Sequence, residues 1–174
     1  DQVVLLIIGG LFFLLLPLVF YFFRDPQRTP PQRDDVIVSP ADGKVMAVET
    51  VKEPVFFETK AVRVSIFLSL FDVHVNYVPF AGTVELVKYN RGGYLPAFKP
   101  EAGQRNANSF TGLETRIGKV AFKQSTGMVA RRIVNYLRLG DRVNTGQKFG
   151  IIKFGSRMDV FLPETVNISV KPGD

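Results

Sequence analysis

No charged side chain occurs between Val3 and Phe23, a gap of 21 residues in a chain that otherwise mixes charges freely. At about 1.5 Å of helical rise per residue the run reaches roughly 32 Å, close to the hydrocarbon thickness of a bilayer. It predicts a transmembrane or membrane-inserted helix over residues 1–24. Pro17 lies inside it, which membrane helices tolerate when neighbouring groups take up the freed carbonyl. A secretory signal is the rival reading, but the run exceeds a usual signal core and no small-residue cleavage site follows. Asp1 is not a native start, so a preceding segment is expected. Arg24, Arg28 and Arg33 predict that the remainder lies on the cytoplasmic side of a cell membrane, a bias that Asp25, Asp34 and Asp35 weaken.

Residues 25–35 carry three prolines among alternating charges, the composition of an extended linker. From residue 36 to 174 there is room for one domain. Short β-branched or aromatic runs at 36–38, 44–51, 62–70, 73–78, 83–89, 119–122 and 151–153, punctuated by Gly, Pro and Asn, predict strands. Residues 126–139 admit either a helical stripe of Met128, Ile133, Val134 and Leu137 or a strand over 129–133. Gly43 and Gly146 are placed at tight turns needing positive φ, in the paired phrases Ser39-Pro-Ala-Asp-Gly-Lys-Val45 and Gly140-Asp-Arg-Val-Asn-Thr-Gly146. The expected fold is mainly β, a barrel- or sandwich-like domain whose turn pattern resembles the biotinyl/lipoyl-carrier and glucose-permease IIA type.

Composition narrows the chemistry. Without cysteine there is no disulfide and no thiolate metal site, and with one histidine no His pair begins a zinc site, so no metal is expected. A formal charge of +6 suits an anionic partner. The apolar helix favours a lipid surface, and no nucleic acid is expected because aromatic and basic residues do not interleave on one face.

The candidate reactive pair is Gly155-Ser156, in Phe154-Gly-Ser-Arg-Met-Asp-Val-Phe-Leu-Pro163. A Gly-Ser dipeptide by itself is ordinary loop sequence. In a strained peptide, however, the serine Oγ attacks the preceding carbonyl and the acyl group moves from nitrogen to oxygen, with glycine permitting the close approach. β-Elimination of that ester leaves dehydroalanine, which tautomerises and loses ammonia to give a pyruvoyl group.

The stretch does not stand alone. Phe22-Phe-Arg-Asp-Pro26, Ser39-Pro-Ala-Asp-Gly-Lys, Phe67-Leu-Ser-Leu-Phe-Asp-Val-His-Val-Asn76, Gln124-Ser-Thr-Gly-Met-Val-Ala-Arg-Arg-Ile133 and Gly140-Asp-Arg-Val occur in an order and spacing that resembles the short, archaeal-type phosphatidylserine decarboxylase proenzymes. The resemblance implies self-cleavage between Gly155 and Ser156 into a β chain (1–155) and an α chain (156–174) headed by a pyruvoyl group derived from Ser156. It implies decarboxylation of phosphatidylserine, or its archaeal ether counterpart, through a Schiff base with that group, without metal or pyridoxal phosphate. Homo-oligomerisation stays open.

By the same resemblance Asp42, His74 and Ser156 form a processing triad. Read from the residues alone, Asp42 is a turn carboxylate, His74 a satisfied strand histidine, and Asp72 a rival orienting group on the same strand face as His74. Longer members of the family carry a second histidine where this chain has Tyr77, so either His74 serves both steps or Tyr77, a backbone group or water supplies the second proton transfer. Gln124-Ser-Thr-Gly127 also departs from the usual Gln-Ile-Ala-Gly. Arg105, Arg131 and Arg132, with Tyr77, are candidate substrate-binding residues. The loop at 92–100, with Tyr94, Leu95 and Phe98, is either an interfacial lipid-contacting loop or an internal one. The alternative function is a membrane-tethered carrier module, although Lys44 and Lys148 lack the expected modification setting.

Overall fold

The computed structural model describes residues 2–33, 35–128, 132–153 and 156–174. Helix α1 spans Gln2–Phe22 and is long and apolar enough to cross a membrane. Among the described residues ten strands follow: β1 (Lys44–Glu53), β2 (Thr59–Leu68), β3 (Val75–Tyr77), β4 (Gly82–Asn90), β5 (Asn108–Thr115), β6 (Gly118–Ser125), β7 (Arg132–Asn135), β8 (Arg142–Val143), β9 (Lys148–Lys153) and β10 (Ser156–Leu162), with the short helix α2 (Ala102–Arg105) before β5. They form a seven-stranded sheet ordered β1-β2-β10-β6-β5-β4-β8 and a three-stranded sheet ordered β3-β9-β7. Every pairing is antiparallel. The mainly β expectation holds.

The two sheets pack face to face. Val64, Ile66, Leu68, Leu113, Phe122 and Met158 of the large sheet share one core with Phe149 and Ile152 of the small one. The far side of the large sheet is covered too, by Phe56 and Phe57 against Ala61, Phe110, Ala121 and Phe161. Sheets buried on both faces lose the simple apolar/polar alternation, which is why several strands are hard to read from sequence.

The predicted strand at 36–38 is absent. There the chain makes a single described backbone bond, Val38 N–H to the Pro79 carbonyl, because it runs as the end of the linker rather than along a sheet edge. The ambiguous 126–139 region contains β7, held as a strand by its ladder with β9. Gly43 and Gly146 both have positive φ, 147° and 75°, as expected. The linker lies across the domain: Lys148 pairs with Asp25, Arg28 with Asp42, and a Cβ on Gly146 would stand 2.8 Å from Pro30.

Candidate active site

Two connections between the sheets meet at one place. Residues 69–74 lead from β2 to β3, and the chain passes from β9 to β10 between Lys153 and Ser156. Ser156 is paired with Leu68 on the large sheet and Ile151 with Val75 on the small one, while Ile152 N–H donates to the His74 carbonyl at 3.3 Å. Register alone therefore sets Lys153 and Ser156 beside the segment carrying Ser69, Asp72 and His74. Gly155, the other half of the expected cleavage junction, lies outside the described residues.

His74 is fully buried. Its Nδ1 is 2.9 Å from the Asp72 carbonyl oxygen, and since a carbonyl only accepts, Nδ1 carries the hydrogen and Nε2 is left as the basic nitrogen. The Asp72 carboxylate in turn accepts from Ser69 N–H at 2.7 Å, which fixes the turn. Burial pushes the imidazole below its ordinary pKa, opposed by the Asp72 carbonyl and charge. The phenyl ring of Phe22, the one buried residue of α1, lies 4.2 Å from the imidazole, centroid to centroid.

Ser156 is also fully buried, and its Oγ has no hydrogen-bond partner among the described residues. Strand alternation puts it on the same face as Met158, towards the space between the sheets. Gln124 Nε2 spans that space to Asn76 Oδ1 at 2.8 Å, leaving Gln124 Oε1 and Asn76 Nδ2 unpartnered. Buried polar atoms usually find partners, so unpartnered ones grouped near a buried imidazole mark a polar chamber. These groups are neutral, and the Ser156 hydroxyl shares the space with unspent amide donors and acceptors.

The opposite face of β10 differs. Buried Arg157 pairs with buried Asp159 at 2.7 Å and donates to Ser65 Oγ at 2.8 Å, and Ser65 donates to the same carboxylate. Lys123 stands 3.5 Å from the other Asp159 oxygen, an ion pair without hydrogen-bond geometry, and donates to the Gly103 carbonyl.

Residues 15–174 match the phosphatidylserine decarboxylase family. Among similar proteins, the phosphatidylserine decarboxylase proenzyme of Salinibacter ruber is 49% identical over 153 residues, covering 86% of this chain and 67% of that protein. The proenzymes of Carboxydothermus hydrogenoformans and Symbiobacterium thermophilum are 46% and 47% identical, covering 86% and 87% of this chain and 71% of each relative. The chain belongs to the phosphatidylserine decarboxylase family. Membership makes decarboxylation its class of activity and sets the carrier reading aside.

The remaining residues that the family resemblance singled out are dispersed. Asp42 forms an ion pair with Arg28 in the linker. The Tyr77 hydroxyl is buried, without a hydrogen-bond partner among the described residues; burial raises its pKa, with Asp25, Lys148, Arg28 and Asp42 all close enough to influence it. Arg132 is exposed and opposite Lys153, next to the β9–β10 connection. Arg105 is exposed at the end of α2, and Arg131 lies outside the described residues. In the 92–100 loop Tyr94 and Phe98 are exposed and Leu95 half-buried, and Asn106 holds the loop through bonds to both the N–H and the carbonyl of Leu95. Thr126, in the stretch that departs from the family pattern, fixes that loop by directing its hydroxyl at the Gly93 and Ala107 carbonyls.

Two cavities do not coincide with this chemistry. One of about 760 Å³ lies between the linker and the C-terminal tail, the other of about 570 Å³ on the outer face beside Arg63 and Arg157. Neither is lined by His74 or Ser156. Sequence reasoning missed Asn76 and Gln124, although each stands in a motif already quoted. It also missed the contact of Phe22 with His74, although Phe22 opens the quoted phrase Phe22-Phe-Arg-Asp-Pro26. Among the described residues no group of three His, Cys, Asp or Glu side chains is placed to hold a metal.

Proposed function

We propose that the chain is a self-processing phosphatidylserine decarboxylase, anchored by α1 with its catalytic domain on the cytoplasmic side, that converts Ser156 into a pyruvoyl group. The observation that carries the reading is the buried, unpartnered Ser156 hydroxyl at the head of β10, next to the segment that buries His74.

In the processing step His74 Nε2 takes the Ser156 hydroxyl proton as Oγ attacks the Gly155 carbonyl carbon. The Asp72 carbonyl holds the Nδ1–H tautomer throughout. The Gly155–Ser156 C–N bond breaks as the ester forms and the serine nitrogen becomes a free amine. Loss of the Ser156 α proton then expels the Gly155 carboxylate, and hydrolysis of the resulting enamine releases ammonia. Asp42, the triad carboxylate that the resemblance implies, would support the imidazolium by its charge and not by a hydrogen bond, since the Asp72 carbonyl keeps Nδ1–H, and only once released from Arg28. Its present bond to Arg28 is half-exposed, and such pairs contribute only about 0–1 kcal/mol, so exchange costs little.

The product chains stay together. β10 runs between β2 and β6 with all seven residues buried, so a cut before Ser156 leaves residues 156–174 pinned by two ladders. The tail adds two backbone bonds between Val45 and residues 173 and 174.

When formed, the pyruvoyl carbonyl supplies an electron sink for the bond to the departing carboxylate. In this reading His74 returns a proton to the α carbon, a role worth roughly 10²–10⁴-fold. Arg132 and Lys153, at the adjoining ends of β7 and β9, supply positive charge for the phosphodiester. Exposed Phe23, Leu70 and Phe71 lie at the helix exit and the turn that Arg24 bonds, where a lipid headgroup would enter from the bilayer.

The test is carbon dioxide and ethanolamine-lipid formation from carboxyl-labelled phosphatidylserine in detergent micelles by wild type and Ser156→Ala. Release by wild type alone supports the reading. Equal release by both, or none by a fully cleaved wild type, overturns it.

A further inference from the structure

Helix α1 has one residue that does not face outward. From Gln2 to Tyr21 its side chains are exposed, whereas Phe22 is 3% exposed and its ring lies against His74 at 4.2 Å with the planes tilted by 35°. Two further contacts hold this end of the helix to the site. Arg24 donates to the Phe71 carbonyl at 2.6 Å, gripping the turn before His74, and the Lys153 ammonium lies 5.5 Å from the Phe23 ring. A helix serving only as an anchor would need none of these contacts; a flexible linker after any apolar span would do.

We infer that Phe22 is a positioning residue for His74, so that the last turn of the membrane helix forms one wall of the catalytic chamber. The inference rests on the proposed role of His74. Its physics is simple: the ring excludes water from one side of the imidazole and limits its rotation, while the Asp72 carbonyl fixes the other edge. The charged groups acting on the imidazole are Asp72 on its own segment and Arg24 from the helix end, while Lys153 on β9 lies against the Phe23 ring. Asp72 favours the cation, whereas burial and Arg24 disfavour it. Removing the ring admits water and weakens the largest of these influences, burial.

Because the chain holds a single histidine, its imidazole can be followed without assignment ambiguity. The experiment labels histidine with ¹³C in full-length protein in micelles and titrates the ring by NMR in the uncleavable Ser156→Ala background, with and without Phe22→Ala or Phe22→Leu. The expected result is an imidazole titrating below its ordinary value with Phe22 present, moving back up in Phe22→Ala together with loss of the aromatic ring-current shift. Phe22→Leu, which still excludes water, keeps the low titration while losing the ring-current shift. In cleavable protein, Phe22→Ala slows self-cleavage by about ten- to a hundredfold and Phe22→Leu by less. An unmoved titration overturns the contact. A moved titration with unchanged cleavage overturns the positioning role. If Ser156→Ala and wild type are equally uncut, the processing reading itself has failed, and the titration still reports on the contact.

Discussion

The two faces of β10 use polar residues in opposite ways. On one face Arg157 and Asp159 are paired with each other and with Ser65, and Lys123 stands as a second cation 3.5 Å from the Asp159 oxygen that makes no hydrogen bond. On the other, Ser156 shares the interlayer space with neutral Gln124 and Asn76, and several of their atoms have no partner. A paired buried network fixes the strand; an unsatisfied one leaves hydrogen-bonding capacity for chemistry. Within two consecutive residues the chain thus moves from the position proposed to react to a locking one.

The comparison breaks first at His74. His74→Ala is expected to slow chain cleavage by roughly 10²–10⁴-fold while the domain still folds, as followed by gel and by circular dichroism. Normal cleavage in that variant would remove the reactive character of the interlayer face. On the other face Asp159→Asn leaves Arg157 and Lys123 without their counter-charge and should destabilise the fold by about 3–5 kcal/mol in denaturant titration. If cleavage per folded molecule falls as sharply as in His74→Ala, the two faces are not separate in function.

A smaller effect is pH-dependent. His74 has a folded pKa below its ordinary 6.5, so the unfolded chain binds the extra proton first as pH falls. Stability is therefore complete above 6.5 and declines as pH drops through the lowered folded value. In Ser156→Ala protein this acid slope, at most about 1.4 kcal/mol per pH unit, should diminish when His74 is also replaced by Gln. An identical slope would place the titration elsewhere. Smallest of all, Arg28→Ala should change stability by less than about 1 kcal/mol and leave cleavage unslowed, because it frees Asp42 without removing it. Slower cleavage would mean that the linker pair supports the site.

Much of this was legible in sequence, for specific reasons. The uncharged run reads as a helix by length alone, and Ser156 and His74 were singled out as candidates through ordered motifs rather than through any single residue. Strand β5 was not read, because Asn108, Ser109, Thr111 and Gly112 look like loop residues. They are buried in mid-sheet, and Gly112 is demanded by packing, since a Cβ there would stand 2.8 Å from the Phe56 ring. β10 was noticed for its chemistry and not as a strand, although Ser156, Met158, Val160 and Leu162 alternate with Arg157, Asp159 and Phe161. The Gln124–Asn76 bond joins residues 48 positions apart, and the Phe22–His74 contact joins the apolar helix α1 to a loop. Local periodicity carries no trace of either.

The most direct measurement of the central claim is the intact mass of purified wild-type protein beside Ser156→Ala. The account predicts two wild-type pieces divided after Gly155, with the smaller, residues 156–174, blocked to Edman degradation by a pyruvoyl group and the variant whole. A wild-type chain that stays whole after incubation in lipid, or a small piece beginning with an unmodified serine, would contradict it.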